Sequence, residues 1–151
     1  RRTPLAVARG VSWGIIPLVA GLFVVVAALD RAGALGDAQH LLATAARLPS
    51  WSASLAVAAA TAVACNLFNN LPVALFAGAA IHGVAVPTAL SHTVLVAVDL
   101  SPNLSLTGSL ATLLWLIVLR REGIIVTPWQ FVRLGALVTI PALLLAVAVV
   151  R

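Results

Sequence analysis

The sequence predicts an all-α fold, a polytopic bundle of transmembrane helices that contains one re-entrant helical hairpin and one discontinuous helix. The chain is 62% hydrophobic and only 9% charged, whereas soluble domains carry about 25% charged residues. Long uncharged runs separate the arginines, and two of the apolar stretches are interrupted by asparagine, serine and proline. Such interruptions turn simple spans into broken ones.

Charge and cysteine usage exclude several functions. The net charge of +5 comes from arginines that stand singly or in pairs between apolar runs, which is typical of membrane loops and not of a nucleic-acid-binding face. The single cysteine excludes an internal disulfide and a cysteine-based metal cluster within the chain. We therefore expect a lipid bilayer around the protein, and no nucleic acid, metal or cofactor.

Three segments are predicted to be unbroken helices. Residues 11–29 carry no charge and would span about 28 Å as a transmembrane helix, close to the thickness of the hydrocarbon core. Residues 33–49 mix polar and apolar positions, which predicts a helix that lies in the membrane interface. Residues 128–150 begin with proline and tryptophan and continue as an apolar run, which predicts the last transmembrane helix.

The stretch 51–86 is predicted to be a re-entrant hairpin. About 35 residues are too many for one crossing and too few for two crossings with a loop. The central residues 66–72 read NLFNNLP, and this polar, non-helical backbone is tolerated at membrane depth only where protein or water surrounds it. We expect Asn69 or Asn70 to cap the second arm, with Pro72 in its first turn.

Residues 88–119 are predicted to form one discontinuous transmembrane helix. Its two apolar arms are each about half a crossing long, and the residues between them, 99–107, read DLSPNLSLT. Pro102 cannot donate an intrahelical hydrogen bond, so the helix is expected to unwind there. Thr107 or Ser105 is expected to cap the second half-helix.

The two interruptions supply the candidate binding residues. Half-helix ends that meet in mid-membrane present backbone and side-chain groups to the substrate in several transporter folds. The side chains predicted to line such a substrate site are Asn66, Asn69, Asn70, Ser101, Asn103, Ser105 and Thr107. The alternative for each residue is a structural role, in which it caps a helix end or satisfies freed backbone groups. Two polar centres in one short chain favour the site.

Asp99 is the only acidic residue predicted at membrane depth. An ionisable group there is costly and usually functional, so Asp99 is the candidate for proton coupling. The alternative is a buried hydrogen-bonding anchor for the unwound backbone. No nucleotide-binding loop and no supported Ser–His–acid set occurs in the sequence, which predicts a membrane transporter and not an enzyme.

Two stretches resemble the signatures of a known family. CNLFNNLPVALFAGAA (65–80) and VLVAVDLSPNLSLTGSLATLLWLIVLRREG (94–123) look like stretches in the C-terminal half of arsenical pump membrane proteins, the ArsB-type arsenite permeases. The following PWQFVRLGALVTIPALLL is similar to the end of those proteins. The resemblance covers roughly residues 11–150, and the combination of stretches makes it specific.

The resemblance implies a member of the ion transporter superfamily, whose inverted repeats each pair a re-entrant hairpin with a broken helix. It implies export of arsenite or antimonite, by exchange for protons, across the bacterial cytoplasmic (inner) membrane by a multi-pass protein that confers arsenic resistance. A soluble arsenite-stimulated ATPase is a partner in some systems. We expect residues 1–151 to be the C-terminal half, with the N-terminal repeat of the same protein missing.

Other functions fit the same residues. A sodium/proton antiporter or an anion permease of the superfamily would also use asparagine, serine and carbonyl groups, so spacing does not identify the cargo. A non-transporting membrane scaffold subunit would have no accessible polar cavity. Cys65 could attract trivalent arsenic, but one thiolate cannot form the three-coordinate site that a soft metalloid prefers, so we assign Cys65 to packing.

Overall fold

The computed structural model describes residues 13–150, and every regular element in that range is helical. The predicted all-α class is confirmed, and the first two residues of the predicted span 11–29 lie outside the described range. The α-helices are α1 (Ile15–Arg31), α2 (Ala34–Ala45), α3 (Ser50–Phe68), α4 (Asn70–His82), α5 (Thr88–Leu100), α6 (Leu110–Arg121) and α7 (Pro128–Val150), and a 3-10 helix (Ser101–Leu104) follows α5 directly.

Small side chains fill the contacts between the helices, and large apolar side chains face outwards. The buried set is dominated by alanine, serine and threonine, whereas many leucine, valine, isoleucine and tryptophan side chains are exposed. A soluble bundle buries its large apolar residues. Helices in lipid pack through small residues, because lipid tails already solvate the large ones. The distribution is therefore that of a transmembrane helix bundle.

Two of the described helices, α3 and α7, are long and apolar enough to cross a bilayer. α1 and α2 pass the same test together, as a pair bent by 73°. Gly33 lies at the bend with a φ of 86°, a conformation that glycine adopts without steric cost. The bend turns α2 steeply away from the axis of α1, as an interfacial helix requires, and the position of α2 in the membrane stays a prediction.

The helices α3, α4 and α5 run in alternating directions. Ala53, near the start of α3, belongs to a buried cluster with Leu90, near the start of α5, and with Ile81, near the end of α4. At the other end of the layer, the Asn66 side chain of α3 is hydrogen-bonded to the carbonyl of Ser101, just beyond α5. Thus α3 and α5 are parallel and pack directly against each other, and α4 runs antiparallel to both as the second arm of a helical hairpin.

The turn of this hairpin is shorter than the sequence indicates. We expected polar, non-helical backbone over residues 66–72, but α3 continues through Phe68 and α4 begins at Asn70. Only Asn69 interrupts the helices, because its backbone and side chain together reverse the chain. The first arm therefore has 19 residues, about 28 Å. Its re-entrant placement in the membrane stays a prediction.

The last helix, α7, supports the unwound part of the chain. Gly135 lies against the carbonyl oxygen of Asn103, so closely that a Cβ atom at this glycine would collide with it. Further along α7, Val147 is fully buried in a cluster with Ala58 of α3 and Ala97 of α5. α7 is therefore antiparallel to α5 and covers the end of α5 where the chain unwinds.

Candidate functional site

The hairpin tip (residues 66–72) lies against the unwound segment (residues 101–109). Asn69 has a φ of 74° and a ψ of 149°, close to a region that is essentially reserved for glycine. Two hydrogen bonds of its side chain stabilise this conformation. Nδ2 donates to the carbonyl of Thr107 at 3.0 Å, and Oδ1 accepts from the backbone N–H of Leu71 at 3.3 Å. Asn69 is thus the cap of α4, one of the two residues predicted for that role.

Asn66 connects the end of α3 with the end of α5. Its Nδ2 donates to the carbonyl of Ala62, in its own helix, and to the carbonyl of Ser101, both at 2.8 Å. Its Oδ1 is buried and has no hydrogen-bond partner. The Ser101 hydroxyl is fully buried beside the thiol of Cys65 and has no nitrogen or oxygen atom as a hydrogen-bond partner among the described residues.

Two hydroxyl groups of the unwound segment also face the tip. Ser105 Oγ and Thr107 Oγ1 lie 3.5 and 3.4 Å from the carbonyl oxygen of Asn66, and 3.5 Å from each other. These bonds are long. The prediction that Ser105 or Thr107 caps the second half-helix is wrong. Ser109 is the cap of α6, because its Oγ accepts from the N–H of Ala111 at 3.2 Å.

Two other predicted site residues, Asn70 and Asn103, have side chains that are not buried. The backbone N–H of Asn70 donates to the carbonyl of Gly108 at 2.8 Å, whereas its side chain is half-buried and has no hydrogen bond to the residues that the structure describes. Asn103 is exposed, and its amide donates to the carbonyl of Leu100 at 3.0 Å. Among the described residues, the Asn70 side-chain amide is therefore unbonded, and the Asn103 amide is bonded to the carbonyl of the last residue of α5.

Asp99 lies apart from these contacts. It is exposed on α5, and it forms no hydrogen bond or ion pair within residues 13–150. Thr88, His92 and Leu95 are exposed on the same stripe of α5, which follows from their helical spacing. Ser101 and Ala97 are buried on the opposite side. Among the described residues, Asp99 has no hydrogen bond to any of the four asparagines.

Sequence reasoning missed two glycines that allow close backbone contacts within and against the unwound segment. A Cβ atom at Gly108 would collide with the carbonyl oxygen of Pro102 and lie 2.8 Å from its Cα atom. A Cβ atom at Gly135 would likewise collide with the carbonyl oxygen of Asn103. Glycine in an apolar helix or in a polar loop is a weak sign of close backbone approach, and it identifies neither partner.

Helix ends of both polarities meet at this site. The C-terminal ends of α3 and α5 carry partial negative charge, and the N-terminal ends of α4 and α6 carry partial positive charge. All seven predicted side chains are amides or hydroxyls, and no group of three or more His, Cys, Asp or Glu that could hold a metal ion occurs among the described residues. The arrangement can therefore exchange hydrogen bonds with a polar solute, and it has no nucleophile–base pair.

Comparison with known proteins identifies the family. The family model of the arsenical pump membrane protein matches residues 3–150. The chain is 31% identical over 146 residues to an arsenical pump membrane protein of Escherichia coli and 30% identical to one of Yersinia enterocolitica, and each match covers 94% of this chain and 34% of the relative. The chain thus spans about a third of the length of these relatives. No solved structure matches it. The chain belongs to the arsenical pump membrane protein family.

Proposed function

We propose that the full-length protein that carries this chain exports arsenite or antimonite in exchange for protons across the bacterial inner membrane. Family membership supports an arsenical cargo. The observation that carries a transport role is the polar contact between the hairpin tip and the unwound segment, whose hydrogen bonds join residues 35 to 41 positions apart. Such contacts between helix breaks form midplane binding sites in transporters built from repeats.

The proposed substrate site is the seven amide and hydroxyl residues of the two breaks. In a hydrocarbon environment, a solute that carries hydroxyl groups must exchange its hydrogen bonds with water for hydrogen bonds with protein. The side-chain amide of Asn70 and the hydroxyls of Ser105 and Thr107 have capacity for this exchange, because they are unbonded or held by long contacts. Another part of the full-length protein would supply the opposite wall.

Asp99 is proposed as the proton-coupling residue. Its side chain is exposed on α5, one turn from the exposed Leu95, and a carboxylate is not stable against lipid. It must therefore face either another part of the full-length protein or a water-filled path. Because Asp99 and Ser101 are on opposite sides of α5, the proton and the cargo would use separate surfaces of the same helix.

Export in an arsenite-hypersensitive bacterium tests this function. Expression of the full-length protein should lower arsenite accumulation, and Asp99→Asn or Asn70→Ala should abolish that effect while the protein still inserts into the membrane. Asp37→Asn is the matched control for the lost carboxylate, because Asp37 is also exposed but lies in α2. Unchanged arsenite accumulation with the wild-type protein, together with sodium-dependent proton movement in vesicles, would show a sodium/proton antiporter instead.

A further inference from the structure

The outward side of α5 differs in chemistry from that of α7. Four side chains are exposed along one face of α5, and we call them the α5 stripe: Thr88, His92, Leu95 and Asp99. Three of the four are polar, and two of these can carry a charge. On α7, by contrast, every exposed side chain from residue 134 to residue 150 is apolar. The two helices therefore present different surfaces to their surroundings.

A lipid bilayer can cover the surface of α7 but not the α5 stripe. Ionisable side chains at membrane depth face the interior of a bundle or a water-filled cavity, because contact with lipid is costly. Within residues 13–150, neither His92 nor Asp99 forms a hydrogen bond or an ion pair. The α5 stripe must therefore face water or polar groups of the full-length protein.

The helices packed against α5 do not satisfy the charges of the stripe. These neighbours are α3, α4, α7 and the 3-10 helix, and their only titratable or charged side chains are Cys65, His82 and Arg133. Cys65 is fully buried. In the part of the chain that the structure describes, His82 and Arg133 form no hydrogen bond or ion pair with His92 or Asp99. Both stripe residues can therefore exchange protons with water.

The stripe extends from the start of α5 towards the middle of the membrane. Residues 83–87, which precede α5, are not helical, and such backbone is not tolerated against lipid, which predicts that they lie at the membrane surface. Asp99 follows Thr88 by eleven residues, which is about 16 Å of helix and half of a hydrocarbon core of about 30 Å. His92 lies between them, about 6 Å from Thr88.

We infer that the α5 stripe lines a water-filled path from this surface to Asp99, and that His92 is a second proton-carrying residue on the path. The inference rests on the proposed function, in which Asp99 couples transport to protons. Histidine is the side chain that gains and loses a proton near neutral pH. The polar stripe and its two titratable groups on one exposed face carry this assignment.

The proton would move in two reversible steps. A hydronium ion in the path gives its proton to the neutral imidazole of His92 and becomes water, which leaves an imidazolium ion. The imidazolium then releases a proton through bridging waters to the carboxylate of Asp99, so that both side chains become neutral. The two residues are about 10 Å apart along the helix, a gap that about three waters at hydrogen-bond spacing can span.

Thiol labelling tests the path without any assumption about the cargo. Leu95→Cys and Leu137→Cys replace side chains of similar exposure, 65% and 72%, on α5 and α7. Each is introduced into the full-length protein after its native cysteines have been replaced, and a membrane-impermeant thiol reagent is applied to both faces of the membrane. Leu95→Cys should react about tenfold faster or more, because the reactive thiolate forms only in contact with water. Equally slow labelling of the two variants would overturn the inference.

Transport by proteoliposomes tests the role of His92. The matched control for His92→Gln is His40→Gln, because His40 is also exposed but lies in α2. With a pH gradient as the driving force, His92→Gln should slow arsenite transport about a hundredfold, the lower end of what a positioned proton-transfer group contributes. Its Kd for arsenite should stay that of the wild type. Added imidazole, a diffusible proton carrier, should restore much of the lost rate and leave His40→Gln unchanged.

The outcomes separate this inference from the proposed function. Equal transport rates for the two histidine variants, or a lost rate that imidazole does not restore, would overturn the inference and leave arsenite export intact. Weaker arsenite binding by His92→Gln would also overturn it, because His92 would then belong to the cargo site. Absence of arsenite transport by the wild-type protein would overturn the proposed function and, with it, the role of His92.

Discussion

The two helix breaks that form the candidate site are built in opposite ways. The break between α3 and α4 is a single residue, Asn69, in a backbone conformation that is rare for any residue except glycine. The break between α5 and α6 extends over residues 101–109 and includes a short 3-10 helix. One break concentrates the change of direction in one strained residue, and the other distributes it over nine.

The difference extends to what stabilises each break. Asn69 satisfies its own surroundings, since one carboxamide both caps α4 and bonds to the opposite segment. The long break (residues 101–109) depends on close backbone contacts, namely that of Gly108 with Pro102 inside the break and that of Gly135 in α7 with Asn103. We therefore expect the stability of the short break (Asn69) to depend on the hydrogen bonds of its side chain. The stability of the long break (residues 101–109) should depend on the volume of the side chains packed against it.

The largest effect is expected from Gly108→Ala. The new methyl group would collide with the carbonyl of Pro102 and would be 2.8 Å from its Cα atom, and backbone cannot move aside as a flexible side chain can. The turn that accepts the hydrogen bond of the Asn70 N–H would be displaced. Thermal unfolding in detergent should show a loss of about 2 to 3 kcal/mol, and arsenite export should fall by more than tenfold.

Gly78→Ala is the matched control for this change. Gly78 lies within α4, and a Cβ atom there would meet nothing within 4 Å. Because alanine is the better helix former, this variant should be as stable as the wild type or more stable by about 0.5 to 1 kcal/mol. If the two variants were equally stable and equally active, the dependence of the long break on volume would be refuted.

A smaller effect is expected at Asn69, where two variants separate strain from hydrogen bonding. Asn69→Ala loses both side-chain hydrogen bonds and keeps the unfavourable φ, so unfolding should cost about 2 kcal/mol less than in the wild type. Asn69→Gly loses the same bonds but relieves the backbone strain, so it should be about 1 to 2 kcal/mol more stable than the alanine variant. Both are measured by thermal unfolding in detergent. An alanine variant as stable as the glycine variant would show that the conformation of Asn69 is not strained.

Local sequence signals predicted the bounds of the helices better than the structure of the two breaks between them. The last helix begins at Pro128, as predicted, and continues through the apolar run to Val150. The first helix ends later than expected, because Asp30 and Arg31 are accommodated in its last turn, where a positive side chain is favourable. Such boundaries depend on neighbours along the chain, which the sequence displays directly.

The structure of the two helix breaks depends on contacts between residues far apart in the chain. Ser105 and Thr107 have the chemistry of helix caps, but their hydroxyls face the carbonyl of Asn66, 39 and 41 residues away. Ser109 takes the capping role instead. The sequence thus indicated which residues are polar at the breaks, whereas their partners follow from tertiary packing that no local pattern encodes.

The smallest effect is expected at Cys65, which precedes the hairpin tip and is fully buried beside Ser101. If this residue serves only to fill space, Cys65→Ala should lower the free energy of unfolding by about 1 kcal/mol, because it leaves a small cavity, and arsenite export should persist. Cys65→Ser is the sharper variant, since it retains the volume but adds a buried hydroxyl that must find a partner. Loss of export in the alanine variant at normal expression would show that the thiol contacts the cargo, and the short break would then bind through sulfur as well as through amide groups.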